Sequence, residues 1–139
     1  MEFSVIICTY NRSQNLPQCL EQLARQHGAQ GIEWEVLVVD NNSNDETKMV
    51  VAELAAKLPI NIRYAHEGQQ GLNYARNTGI RESRGTYFSF VDDDIEVSPD
   101  WLASLYRSFT TNDADAVGGR IHLAPSITLP KWIRDKETK

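Results

Sequence analysis

Short apolar runs alternate with longer segments of helical period along the whole chain. Phe3-Ser4-Val5-Ile6-Ile7-Cys8-Thr9 is almost continuously apolar, as expected for a strand covered on both faces in a parallel sheet. Trp34 to Val39 is a second such run and ends in Asp40, while Ile60, Ile62 and Tyr64 alternate and predict a shorter third strand at an edge. Thr86 to Val91 follows Gly85 and predicts a buried fourth strand. Ala116 to Ile121 predicts a final one, interrupted by Gly118-Gly119, a pair that suggests a bulge or a close backbone approach.

Helices fill the intervals. One starts near Asn15, with Pro17 tolerated in its first turn, and Leu16, Cys19, Leu20 and Leu23 form a single stripe. Ser43-x-x-Glu46 has the capping-box pattern for a second helix, with Met49, Val50, Leu54 and Leu58 inward and Pro59 as its stop. A third runs from about Leu72 to Ser83 with Gly85 as its C′ residue. Ser98-Pro99 reads as N-cap and N1 of a fourth, which points Leu102, Leu105, Tyr106 and Phe109 inward. The tail from Pro125 to Lys139 has no clear period, although Trp132 and Ile133 could dock.

Such alternation means an α/β fold, a mostly parallel sheet with helices on both faces joined by right-handed crossovers. Ligands of these sheets bind outside the carboxyl ends of the strands, near the point where strand order reverses. The loops Thr9–Ser13, Asp40–Ser43, His66–Gly71 and Asp92–Ile95 should therefore meet on one edge. Residues 1–124 form the expected domain and 125–139 an irregular tail.

With 139 residues, 41% of them hydrophobic, there is enough chain for one real core. A net charge of −5 argues against a general nucleic-acid binder. Cys8 and Cys19 match no metal spacing and read as buried reduced thiols. No apolar run approaches the ~20 residues that span a bilayer, and no signal peptide precedes the first strand. The default placement is cytoplasmic, with peripheral attachment to the inner face of a membrane as its variant.

The fourth strand leads into Asp92-Asp93-Asp94, and no Lys or Arg lies between Arg84 and Arg107 to offset these carboxylates. A hard divalent cation, Mn²⁺ or Mg²⁺, would do so, since such ions share one or two carboxylates with a substrate's phosphates. The bland alternative is a solvated acidic turn. Asp40 could accept a hydrogen bond from a base or ribose, or simply brace its own turn. Tyr10 offers a flat face, and Arg12 and Arg76 could fork onto phosphate oxygens. Without other context, Arg76 is better read as part of a solvated helix face. His66 and His122 read as ordinary surface histidines.

Four segments then resemble the family 2 glycosyltransferases, which have the GT-A fold. They are Ser4 to Arg12, Val38-Val39-Asp40-Asn41-Asn42-Ser43-x-Asp45, Gly71-x-Asn73-x-Ala75-Arg76-Asn77-x-Gly79, and Phe90-Val91-Asp92-Asp93-Asp94. The order and spacing of the four make the resemblance specific over about residues 3 to 121. It implies an inverting transferase of the hexosyl type that takes sugar from a nucleotide-diphosphate sugar, often a UDP-sugar, with Mn²⁺ or Mg²⁺. The acceptor would be a carbohydrate or lipid-linked molecule in polysaccharide biosynthesis.

The resemblance puts Thr9, Tyr10 and Arg12 in the nucleotide-binding first loop, Asp40 on the uracil and Arg76 facing the nucleotide. Asp92 and Asp94 match the Asp-x-Asp motif, the first near the ribose and metal, the last on the metal. Asp93 belongs to the same substrate-facing set, although strand alternation would turn it away from its neighbours unless the turn has begun. Gly118 and Gly119 would lie toward sugar and acceptor. Nothing after Gly119 matches the acidic motif that supplies the family's base, and Asp135 and Glu137 sit in a basic, aperiodic tail. The expectation is a donor half without its acceptor half, truncated at the C-terminus and prone to self-association where the sheet is left uncovered.

Two readings compete with it. A non-catalytic nucleotide-sugar-binding fragment shares the same loops. A phosphoacceptor receiver module also has acidic strand ends and Mg²⁺, but wants acids where this chain has Cys8-Thr9 and a lysine where it has Gly118-Gly119.

Overall fold

The computed structural model describes residues 1–112, 114–122, 128 and 130. Four strands, β1 (Phe3–Thr9), β2 (Trp34–Asp40), β3 (Ile62–His66) and β4 (Tyr87–Val91), alternate with helices α1 (Leu16–Ala24), α2 (Thr47–Lys57), α3 (Leu72–Glu82) and α4 (Trp101–Asn112). All pairings are parallel and the strand order is β3-β2-β1-β4. Order therefore reverses between β1 and β4, and a right-handed crossover made in the reverse direction must pass over the opposite face. Accordingly Val5, Ile7, Val36 and Val38 pack with residues of α1, α2 and α4, whereas Ile6, Leu37 and Val39 pack with Ala75 of α3. This is the α/β GT-A-like arrangement, with the third strand at an edge as its alternation predicts.

The stripe Leu16, Cys19, Leu20, Leu23 is buried as a unit. Small residues let α3 lie close to the sheet: a Cβ on Gly79 would stand 2.5 Å from Cγ2 of Ile6. Gly85 answers to the same constraint rather than to a helix end. The α3 cap, Ser83, is extended (φ −65°, ψ 146°), and a Cβ on Gly85 would lie 2.5 Å from Ser4 N and 2.6 Å from Phe3 C.

Beneath α3, at the amino ends of the strands, fully buried Glu35 accepts hydrogen bonds from Ser4 Oγ (2.8 Å), Arg84 N (2.9 Å) and Arg63 Nη1 (3.0 Å). Ser4 Oγ in turn accepts from Gly85 N at 2.8 Å. The group pins the start of β4, the strand that carries the aspartates.

Several expectations are overturned. Ala116 to Ile121 forms no strand; Ile121 is exposed, and nothing lies within 4 Å of a Cβ on Gly118 or Gly119, so neither a bulge nor a close approach explains the pair. With no neighbouring strand among the described residues, two glycines lack the side-chain contacts that would hold them extended. Among the described residues β4 is consequently an edge strand, with Phe88 39% exposed rather than buried. The capping box does not form: α2 starts at Thr47, and Asp45 accepts from Thr47 N (3.1 Å) and Thr47 Oγ1 (2.6 Å) in its place. Its buried positions are Thr47, Val51 and Leu54, with Met49 turned out. α4 starts at Trp101, two residues after Pro99, and Ser104 N bonds Asp100 O at 2.9 Å. Cys8 is only half-buried. The expectations for Trp132, Ile133, Asp135 and Glu137 lie outside the described residues.

Candidate functional site

Each strand ends at the same edge, and the loops beyond it are sewn together in a row. Asn41 N donates to Thr9 O (2.9 Å), Asn11 N to Ser43 Oγ (2.9 Å), Asn44 N to Asn11 Oδ1 (2.9 Å) and Ser13 N to Asp45 Oδ2 (2.9 Å). Left-handed backbone at Asn11 (φ 51°) and Asn42 (φ 63°) aims these groups, a conformation that short amide side chains tolerate. Asn41 reaches the other way: its Nδ2 donates to Gln69 O (2.8 Å), and its Oδ1 accepts from Gly71 N (2.7 Å). One amide thus ties both Gln69 and Gly71 of the loop before α3 to the end of β2. Burial works against ionisation of Asp45, but the donors from Thr47 and Ser13 outweigh it and bring the carboxyl down to about 2.

Between these loops opens a cavity of about 280 Å³, lined by Cys8, Thr9, Tyr10, Asn41, Gln70, Gly71, Leu72 and Ala75. Tyr10 stands 42% exposed at its side. Burial pushes the Cys8 thiol up to about 11, with Asp92 opposing ionisation and Arg76 favouring it, so Cys8 is neutral wall rather than nucleophile.

The acidic turn lies across the strand-order reversal from this cavity, where open parallel sheets bind ligands. The three carboxylates have different environments. Asp93, 6% exposed, accepts from Thr9 Oγ1 (2.6 Å), Arg12 Nη1 (3.1 Å) and Asn15 Nδ2 (3.5 Å). Asp94 is exposed and accepts from the same Arg12 nitrogen at 3.0 Å. Asp92 is exposed. Arg12 is therefore the cation that the local sequence lacks, supplied by β1's loop from 81 residues away. Asp93 is turned inward because the chain has already left the strand at Val91.

The remaining expected residues fall as follows. Asp40 is 3% exposed, bracing Ser43 N through Oδ1 (2.9 Å) and accepting from Tyr64 hydroxyl through Oδ2 (2.8 Å). Burial, then that bond, push the Tyr64 phenol well up. Arg76 is not on a solvated face: its guanidinium stands over the Phe90 ring, 5.5 Å from the centroid. Thr9, Tyr10 and Arg12 stand together on β1's loop, whereas Gly118 and Gly119 lie exposed in an irregular stretch.

Sequence reasoning missed the organising roles of Asn11, Asn15, Asn41, Ser43 and Asp45. Their signal was available as a cluster of short polar side chains directly after apolar runs, the composition of loops that bond their own backbone.

Among the described residues no three His, Cys, Asp or Glu side chains converge as a ready metal site. Exposed Asp92 and Asp94 are hard oxygen donors beside the loop that follows β1. They fit an ion held by one or two carboxylates and completed by phosphate oxygens.

The family model for glycosyl transferase family 2 matches residues 4–138. This chain belongs to that family. The succinoglycan biosynthesis protein ExoM of Rhizobium meliloti is 33% identical to this family 2 chain over 134 residues, which are 96% of the chain and 43% of ExoM. Among solved structures, S. aureus TarS 1-349 in complex with UDP-GlcNAc superposes with a TM-score of 0.80 at 27% identity, covering 94% of this chain and 37% of that TarS 1-349 chain. The mannosyltransferase PcManGT of Pyrobaculum calidifontis, in complex with GDP-Man and Mn²⁺, gives 0.70 at 25% identity, covering 84% and 34%. The family 2 chain thus spans less than half the length of these relatives. No helix among its described residues is long and apolar enough to cross a membrane.

Proposed function

We propose that this chain binds the donor of an inverting glycosyl transfer, a UDP-sugar, with a divalent cation at Asp94 and Asp92. The observation that carries the reading is the cavity beside Tyr10, framed by bonded loops and standing next to an acidic turn at the strand-order reversal. Its likeness to a protein solved with UDP-GlcNAc supports the choice of nucleotide. The Mn²⁺ in a second neighbour supports the cation.

In this reading Tyr10 covers the base, and Asp40 accepts a uracil N–H on a lone pair that Ser43 and Tyr64 leave over. Thr9 fixes the first loop through Asp93, Arg12 and Arg76 face the diphosphate, and Asp92 meets the ribose. Bound at Asp94, Mn²⁺ or Mg²⁺ would supply Lewis-acid neutralisation of the departing diphosphate. Gly118 and Gly119 lie toward sugar and acceptor, a carbohydrate or lipid-linked hydroxyl. Placement in the cytoplasm or at the inner face of a membrane, and polysaccharide biosynthesis as the setting, belong to the same proposal.

Calorimetric titration with UDP and GDP, with and without Mn²⁺, tests it. UDP should bind in a Mn²⁺-dependent way, and Asp94→Ala should abolish the dependence. A ligand at ~100 times its Kd stabilises by about 2.7 kcal/mol, so thermal melting reads the same loss. An Asp94→Ala protein that keeps its Mn²⁺-dependent UDP binding would refute the assignment.

A further inference from the structure

We infer that Arg12 is a built-in counter-ion that competes with the divalent cation for Asp94, so without metal Asp94 is neutralised by the chain's own charge. One nitrogen, Arg12 Nη1, bridges Asp93 Oδ1 (3.1 Å) and Asp94 Oδ2 (3.0 Å). The two halves of this bridge are unequal. The Asp93 side chain is 4% exposed and has further donors in Thr9 Oγ1 and Asn15 Nδ2, so it is anchored without Arg12. Asp94 is 56% exposed, and Arg12 is its one recorded partner among the described residues.

An exposed ion pair of this kind is weak, so it exchanges readily for a better partner. A divalent cation is such a partner, and it cannot share Asp94 with a guanidinium at bonding distance without like-charge repulsion. Arg12 is half-exposed and long enough to swing away while the Thr9–Asp93 bond keeps the loop in place. Asp93 then serves as a positioning residue and Arg12 as the removable charge. This rests on the reading of Asp92 and Asp94 as cation carboxylates.

The test needs no nucleotide and no turnover. Mn²⁺ binding to the full chain is followed through the electron paramagnetic resonance signal of the free ion, for wild type, Arg12→Gln, Arg12→Lys and Arg12→Gln/Asp94→Asn. Removing a competitor of this strength should tighten Mn²⁺ binding by up to about fivefold in Arg12→Gln. Arg12→Lys keeps the charge and should stay within about twofold of wild type, whereas a merely structural arginine would make the two variants alike. The double variant should lose the gain. Because Arg12 is half-exposed, all four proteins should fold, which circular dichroism checks, and Arg12→Lys keeps the test open if Arg12→Gln does not. Arg12→Gln binding no tighter than wild type, or Arg12→Lys tightening equally, overturns the inference. Absence of Mn²⁺ binding in every protein at millimolar metal also overturns the inference, whereas the cation reading beneath it falls only if UDP binding proves independent of Mn²⁺.

Discussion

Replacing Glu35 by Ala should cost this fold about 3 kcal/mol, although the residue lies at the opposite end of the sheet from the cleft. Its carboxylate is fully buried and receives Ser4 Oγ, Arg84 N and two contacts from Arg63 Nη1 at 3.0 and 3.3 Å. Removing one partner of a buried ion pair typically costs about 3–5 kcal/mol, because the other charge stays behind. Arg63 has a fallback in Glu82 O at 3.0 Å, and its side chain is 22% exposed, which places the cost at the lower end. Against a total stability of about 5–15 kcal/mol this is a large fraction, and it corresponds to a melting point lower by about 10 °C.

The same carboxylate gives a pH signature. Burial raises its pKa, but the bonds from Arg63, Ser4 and Arg84 N outweigh that and hold it below its ordinary value of 4.5. A group depressed in the folded state stabilises fully above its unfolded pKa, and the contribution is lost as pH falls through the folded value. Urea unfolding of wild type, Glu35→Ala and Glu35→Gln at neutral pH and in an acid series reads both effects. The gap between wild type and Glu35→Gln should hold at neutral pH and narrow in acid below pH 4.5. A Glu35→Ala loss under about 0.5 kcal/mol, typical of an unremarkable surface change, or a gap that does not narrow in acid, would refute the account.

Gly85→Ala should destabilise by up to about 3 kcal/mol, since its Cβ meets backbone atoms of Ser4 and Phe3 that cannot give way; chemical denaturation reads it, and a neutral result would show that β4 can shift. Asn41→Ala removes the amide that holds Gln69 O and Gly71 N, a loss of about 1–3 kcal/mol. Hydrogen exchange at Gly71 should then accelerate, and unchanged protection would mean that the loop holds itself. Transfer by this chain alone should stay below about 1 s⁻¹ with any acceptor. Asp40, Asp93 and Asp94 are already bonded, and an acceptor hydroxyl without a general base loses about 10²–10⁴ in rate. Faster turnover in a donor-hydrolysis or transfer assay would place a base within these residues.

Local periodicity was enough to determine the strand–helix alternation, the α1 stripe and the edge position of β3, because each depends on neighbours within a turn or a strand. The four motif segments, read in order, likewise determined the family. What the sequence left open was decided by contacts between residues far apart in the chain. Met49 and Val51 are both apolar, and only the packing of α2 on the sheet chooses Val51 as the inward one. Gly85 looks like a helix stop until β1's backbone is found 2.5 Å from its missing Cβ. Ser43 has the makings of a cap, yet the neighbouring loop claims its hydroxyl through Asn11 N. The acidic run looked uncompensated because its counter-charge is 81 residues away and arrives only when β1 pairs with β4. The same pairing puts Asp93 against Thr9 and buries it, while its two neighbours remain in solvent. Three identical residues in a row thus become one buried anchor and two exposed carboxylates, and that division exists only in the folded chain.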